Sequence, residues 1–334
     1  MSAWTVLEAA VHVLITSTSR DPNKEMRNVS INVAAETLTQ DTESAMADIL
    51  AKSPEIEDVA RAFATLADAQ NGLLIDTSAW SDTCTFDPDA FGRGEPLWAS
   101  RDISGLERCL LDAGEQLLPV IERAFPHIAS DAARLREALS ERPGLAAQFL
   151  QASLHDGRES LDAIAEAIAI PTDSMSFLIL EILNPCLRRA AERLAPLIDE
   201  DLWYRSTCPI CGGAPDFGFL KEKGDDSEFL ISKAGRMNLH CSLCGSVWRF
   251  VRLVCPSCGQ GDQEQMEILT VAERPRERIH VCHSCHRYLL VVDLMERNDR
   301  LHPVLTPLGL LSLDILAQGK GYEPLAVTPW NQFP

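Results

Sequence analysis

The sequence predicts an α+β multidomain chain: an all-α N-terminal domain, two tandem metal-stapled β modules and a C-terminal helix. Three observations carry this prediction. Apolar residues recur at helical spacing through the first two hundred positions. Eight of the eleven cysteines fall into four Cys-x-x-Cys pairs between Cys208 and Cys285. Those pairs belong to an internal repeat of about 45 residues, in which each copy reads knuckle, hairpin, knuckle, strand.

In the N-terminal region Ser104-Gly-Leu-Glu107 reads as a capping box, the Ser and Glu side chains satisfying orphan N–H groups at a helix start. Leu106, Cys109, Leu110, Ala113 and Leu117 then form one apolar stripe, and Leu161, Ile164, Ala165 and Ile168 a second. Ile182, Leu183, Cys186, Leu187, Ala190 and Leu194 form a third, on a helix that Pro185 must kink or start. Helices with one apolar face need each other to hide it, so a bundle with a core of its own is expected over residues 1–200. Cys109 and Cys186 lie on these stripes and read as small core hydrophobes. The segment 76–102, rich in Asp, Pro and Gly, reads as a long surface excursion, with Cys84 as the candidate reactive thiol. A polar break is expected at 19–27. The N-terminal apolar run, interrupted by Glu8 and His12, fits a surface helix better than a signal peptide.

From Trp203 the texture changes to short β-branched and aromatic runs punctuated by Gly and Cys. Cys208-Pro-Ile-Cys211 is followed by strand-like runs at 216–221 and 228–232, then Cys241-Ser-Leu-Cys244 and the run SVWRFVRLV. Cys255-Pro-Ser-Cys258 leads to the strand-like 266–271, then Cys282-His-Ser-Cys285 and RYLLVVDL. In Cys-x-x-Cys the turn points both thiolates at one place. Gly212, Gly245 and Gly259 supply the positive φ that the turn requires. Two knuckles together offer four sulfurs at tetrahedral positions, suited to zinc or a single iron, and the sequence does not separate the two. The repeat makes sequential pairing the simpler arrangement: Cys208, Cys211, Cys241 and Cys244 at one ion, Cys255, Cys258, Cys282 and Cys285 at the other. A crossed pairing and a ligand role for His240, His283 or His286 are the alternatives. The histidines read instead as solvent-facing or supporting groups. A 45-residue module has little apolar area, and a structural metal contributes about 10–16 kcal/mol apparent to such folds. Trp248, Phe250, Tyr288 and Leu290, alternating after the knuckles, are expected to cover the metal sites. Arg249 and Arg252 read as solvated strand charges that could face a partner. Leu308 to Gln318 reads as the last helix, with Pro307 in its first turn, Gly319 as its C-cap and an irregular tail.

Net charge is −19, yet residues 201–300 hold 13 basic and 14 acidic side chains, so the excess acid lies in the helical part. That balance argues against a phosphate-binding footprint, and with it against a nucleic-acid partner or an anionic membrane surface. No stretch reaches the 18 apolar residues of a membrane span. Cysteines at regular spacing point to metal or redox chemistry in a reducing compartment, so the cytoplasm is expected. Walker, dinucleotide-binding, His-Glu-x-x-His and nucleophile-elbow patterns are all missing, so the chain reads as a non-enzyme.

The order CPICGGAP, LHCSLCGSVWRFVRLVCPSCG, CHSCHRYL and the closing LGLLSLDILAQGKGYEP…TPWNQFP resembles the formate dehydrogenase accessory protein FdhE family. The likeness covers residues 203–334, and the first two hundred only by helical character and length. It departs at Thr306-Pro307-Leu308, where an acidic pair is usual, and at Pro329-Trp330-Asn331. The resemblance implies a cytoplasmic maturation chaperone that binds the catalytic subunit of a formate dehydrogenase. It also implies rubredoxin-like or zinc-ribbon modules whose two four-cysteine sites, the eight cysteines above, can hold iron. The domains expected are helical 1–202, metal modules 203–254 and 255–303, and a C-terminal helix and tail 304–334. A nucleic-acid-binding ribbon protein and a rubredoxin-like electron carrier are the other readings.

Overall fold

The computed structural model describes residues 36–75, 87–99, 105–199, 201–222 and 235–331. The expectations for the first 27 residues, Cys84, the Ser104 cap and the run 228–232 lie outside these residues.

Eight α-helices are described before the sheet. Helix α1 (Thr42–Lys52) opens on Asp41, whose carboxylate accepts the Ser44 N–H at 2.8 Å. Helices α2 (Glu57–Asn71) and α3 (Pro88–Arg93) follow, the latter inside the segment expected to be a loop. Asp87 caps α3, Pro88 sits in its first turn and left-handed Gly94 ends it, which is the local chemistry of a short, sharply bounded helix. Helix α4 (Gly105–Ala124) buries the whole first stripe, from Leu106 to Leu117. Helices α5 (Ala129–Glu141), α6 (Leu145–Gln151) and α7 (Arg158–Ala167) lead to α8 (Thr172–Leu194), the longest. Pro185 lies inside α8 and does not start it. Cys109 and Cys186 are fully buried in the core these helices share.

The β region comprises β1 (Pro215–Lys221), β2 (Arg236–Cys241), β3 (Val247–Phe250), β4 (Met266–Val271), β5 (Arg274–Cys282) and β6 (Arg287–Asp293). The two expected modules form one continuous sheet, ordered β3-β2-β1-β6-β5-β4. Within each half neighbouring strands are antiparallel, and the halves meet along a parallel β1–β6 seam, Phe217 opposite Leu290. The chain therefore travels from one edge of the sheet to the other between β3 and β4, carrying the third knuckle with it.

Alternation along the strands gives the sheet two apolar faces. Leu220, Met237, Leu239, Trp248, Leu289 and Val291 join the cluster that α4 and α8 form, so that core runs unbroken from helices into sheet. The helical part does not close off a core of its own. Phe217, Phe219, Ile279, Val281, Tyr288 and Leu290 face the other way and pack with Leu310, Leu313 and Ala317. Tyr288 and Leu290, expected over a metal site, thus lie in the cluster under the C-terminal helix.

That C-terminal helix is two: α9 (Leu305–Gly309) and α10 (Leu311–Gly319), broken at Leu310. Gly319 lies within α10, and the left-handed glycine comes two residues later at Gly321 (φ 87°). Leu305 and Leu308 pack on Ile49, Ala60 and Phe63 of α1 and α2. The tail is more ordered than its prolines suggested. Glu323–Pro324 (β7) pairs in parallel with the start of β6, and the Trp330 ring meets Phe63 edge-on at 5.1 Å. Asn331 accepts the Thr328 N–H at 2.7 Å and donates to the Ala326 carbonyl at 2.9 Å. Among the described residues no single helix is long and apolar enough to cross a membrane.

Candidate metal centre

The four knuckles share one backbone turn. The N–H four residues after the first cysteine returns to its carbonyl: Gly212 to Cys208 (2.9 Å), Gly245 to Cys241 (3.1 Å), Gly259 to Cys255 (2.9 Å) and His286 to Cys282 (2.9 Å). The three glycines take the positive φ their position requires, 77°, 66° and 74°. His286 takes it too, at 56°, a left-handed position that the sequence did not flag because no glycine stands there.

The fold brings the knuckles together in sequence order. The Sγ atoms of Cys208, Cys211, Cys241 and Cys244 lie within 4.8 Å of one another, and so do those of Cys255, Cys258, Cys282 and Cys285. Among the closest pairs are Cys208–Cys244 at 3.5 Å, Cys211–Cys241 at 3.4 Å, Cys255–Cys285 at 3.6 Å and Cys258–Cys282 at 3.7 Å. A tetrahedron with metal–sulfur bonds of about 2.3 Å has edges of about 3.8 Å. The quartets are close to that size, and all eight thiols are free. N–H groups point at the sulfurs: Ile210 to Cys208, Gly213 to Cys211 and Ser257 to Cys255, each at 3.4 Å. Both four-cysteine groups can hold a metal ion.

Electrostatics agree. Burial pushes the Cys208 and Cys241 thiols well up. Burial opposes ionisation of Cys244 as well, but hydrogen bonds from its three partners and Ser246 outweigh it and hold that thiol well down. In the second quartet burial raises Cys255 to about 12. Cys282 comes down to about 7, because the N–H groups of Cys285 and Ser284 overcome its burial. Each quartet therefore has one sulfur that ionises readily beside raised thiols, Cys208 and Cys241 in the first and Cys255 in the second, that need a cation to lose their protons.

The histidines support rather than complete the quartets. His240 Nδ1 lies 2.8 Å from Asp216 Oδ1, its ring tilted on Phe217, in a buried position and not facing solvent. His283 Nδ1 meets the Tyr322 hydroxyl at 2.9 Å and its Nε2 lies 3.3 Å from Glu267. Trp248 is buried among the first quartet's neighbours and donates to the Arg205 carbonyl at 3.2 Å, with Phe250 packed beside it. Arg252 donates to the Gly235 carbonyl at 3.4 Å. Sequence reasoning missed Arg188 of α8, which lies against Gly245 so closely that an added Cβ would stand 3.1 Å from its Nε.

No family model matches the chain. It is 29% identical over 154 residues to the Protein FdhE homolog of Aquifex aeolicus, covering 46% of this chain and 50% of that one. It is 26% identical over 214 residues to the homolog of Shewanella oneidensis, 64% and 65% of the two chains. With the Haemophilus ducreyi homolog it shares 31% over 141 residues, 42% and 43%. In each case the match spans less than two thirds of the relative's length. The crystal structure of the FdhE protein from Pseudomonas aeruginosa superposes with a TM-score of 0.57 at 20% identity, over 88% of this chain and 95% of that one, a likeness of fold. The chain is thus similar over part of its length to curated relatives named FdhE homologues, and it shares the fold of an FdhE crystal structure.

Proposed function

We propose that this chain is a non-catalytic maturation factor that binds the catalytic subunit of a formate dehydrogenase and promotes its assembly. In this reading Cys208, Cys211, Cys241 and Cys244 hold one metal ion, and Cys255, Cys258, Cys282 and Cys285 a second. The observation that carries it is the pair of tetrahedron-sized thiol quartets within an FdhE-like fold. Bound ions would supply the charge that lets the crowded thiols ionise and would staple each hairpin to its neighbour. The chain's own contribution is the N–H groups aimed at sulfur, the left-handed turn residues and the shared sheet that fixes both quartets in one body. The acidic helical part offers a surface complementary to a basic client face.

The test is co-purification of the tagged chain with a formate dehydrogenase catalytic subunit in the cytoplasm of a cell expressing both. Recovery of that subunit, lost when the eight cysteines are changed to serine, is the expected result. Recovery of nucleic acid in its place would overturn the reading. The exposure of Cys258 supports a second role, one-electron transfer by a mononuclear iron. Sulfur-to-iron absorption that bleaches reversibly on reduction would establish it, and a colourless zinc protein would exclude it.

A further inference from the structure

We infer that the two centres differ in kind: the first is a permanent staple, and the second is the site where a soft metal ion is exchanged with a thiolate-bearing partner. This rests on the reading of the eight cysteines as metal ligands and adds a division of labour between them.

The first quartet is enclosed from several directions. Cys208, Cys241 and Cys244 are at most 1% exposed and belong to the helical core cluster, with Cys211 packed against it. The backbone of the first knuckle is paired to the segment after α3: Leu97 N–H to the Pro209 carbonyl and Trp98 N–H to Ile210, both at 2.9 Å. Pro96 lies 3.3 Å from the place a Cβ on Gly212 would take, and Arg188 closes over Gly245. Cys211 is half-buried, but a competing ligand reaches the sulfurs of Cys208, Cys241 and Cys244 only after helices and sheet separate.

The second quartet has less cover. Cys255 and Cys282 are buried, but none of its cysteines joins a described apolar cluster, Cys258 is exposed and Cys285 half-buried. Nothing lies within 4 Å of a Cβ built on Gly259. What surrounds it is a surface network, Gln260 to Ser284 and Ser284 to Gln265, both at 3.3 Å. The fourth knuckle is tied by the Glu323 N–H on the His286 carbonyl at 2.8 Å and by its own His283 N–H on the Gln265 carbonyl at 2.9 Å, with no described helix packed over it. An incoming thiolate can approach the ion on the Cys258 side. Its sulfur–metal bond forms as the Cys258 Sγ bond breaks, and the released Cys258 thiolate takes a proton from water. No electron changes hands. Repetition at the other three sulfurs completes the transfer, and the reverse sequence loads the site.

The experiment uses the full chain loaded with two zinc ions, mixed with excess chromophoric chelator and quenched at intervals with a thiol alkylating reagent. Half the metal should leave in a first phase about 100-fold or more faster than the rest, since a surface site opens locally and the buried one needs sub-global opening. Alkylation in that phase should fall on Cys255, Cys258, Cys282 and Cys285 alone, with circular dichroism unchanged. Cys258→Ser should lose the fast phase and keep the slow ion. Release of both ions at one rate, or early labelling of Cys208 or Cys241, would overturn the division of labour. A refolded chain that binds no zinc would overturn the metal reading beneath it.

Discussion

The first quartet is wrapped by α8 and the segment after α3, whereas the second stands toward the edge of the sheet with solvent at Cys258. The turns themselves are alike, with the same N–H to carbonyl closure at all four knuckles. What differs is the second layer of atoms. A knuckle that packs against helices makes metal binding part of the global fold, while a knuckle backed by water makes it a local event. The largest expected effect follows from this. Cys208→Ser should unfold sheet and helices together, a loss of several kcal/mol, because metal ligation of this kind is folding free energy. Cys258→Ser should release one ion and leave the helical melting transition almost unchanged. Metal analysis beside thermal circular dichroism measures both. Equal melting for the two variants would break the comparison.

The shared core could not be read from sequence, although its parts could. The stripe from Leu106 to Leu117, the strands at 266–271 and 287–293 and the four knuckles are local patterns, and they appear where expected. Strands β2 and β5 run into their knuckles and were hidden by them, though Met237 and Leu239, and then Glu277, Ile279 and Val281, alternate. The β1–β6 seam pairs residues some seventy positions apart, and nothing local at Phe217 or Leu290 announces it. The same holds for Arg188 over Gly245. Eight candidate ligands were legible because each pair is set by a four-residue turn; their unequal burial depends on contacts from distant helices.

Titration sharpens the contrast. Burial raises Asp314, which accepts the Tyr288 hydroxyl at 2.6 Å under α10, to about 7, and burial likewise raises Glu181 of α8 to about 7. A carboxyl with a raised folded-state pKa binds its proton more tightly in the native state. These two therefore lower stability as pH climbs from about 4 to about 7. His302 has the opposite sign. Burial, then Arg188, hold it down to about 4, and its Nδ1 accepts the N–H groups of Val304 and Leu305. Its contribution is present above its ordinary value and is lost as pH falls toward 4. Asp314→Asn should remove part of the decline between about pH 4 and 7 by up to a few kcal/mol, leaving the opposite slope from His302 in the same range intact. Denaturant midpoints across that range would show it, and an unchanged profile would mean that Asp314 titrates normally.

Glycine substitutions probe the surroundings at a smaller scale. Gly259→Ala meets open space and should lose only the left-handed backbone term, about 1 kcal/mol. Gly245→Ala carries the same term and must also displace Arg188, so about 2 kcal/mol is expected where van der Waals overlap is added. Denaturant midpoints that match for the two variants would show that Arg188 yields freely.

The fourth knuckle gives the smallest and most telling change. His286 holds φ at 56° where the other three knuckles have glycine, and a non-glycine residue pays about 1–2 kcal/mol there. Glycine would relieve that strain but would gain freedom in the unfolded chain, about 0.5–1 kcal/mol in the other direction. The His286 carbonyl still accepts the Glu323 N–H, so the anchor from β7 survives the substitution. The loose approach of the His286 ring to Tyr322, 6.1 Å between centroids, is removed. His286→Gly should thus raise the melting temperature by about 1–3 °C. A lower melting temperature would mean that the ring contact outweighs the strain. A higher one would mean that the histidine is kept at a cost in stability, on the open side of the molecule where the second quartet meets solvent.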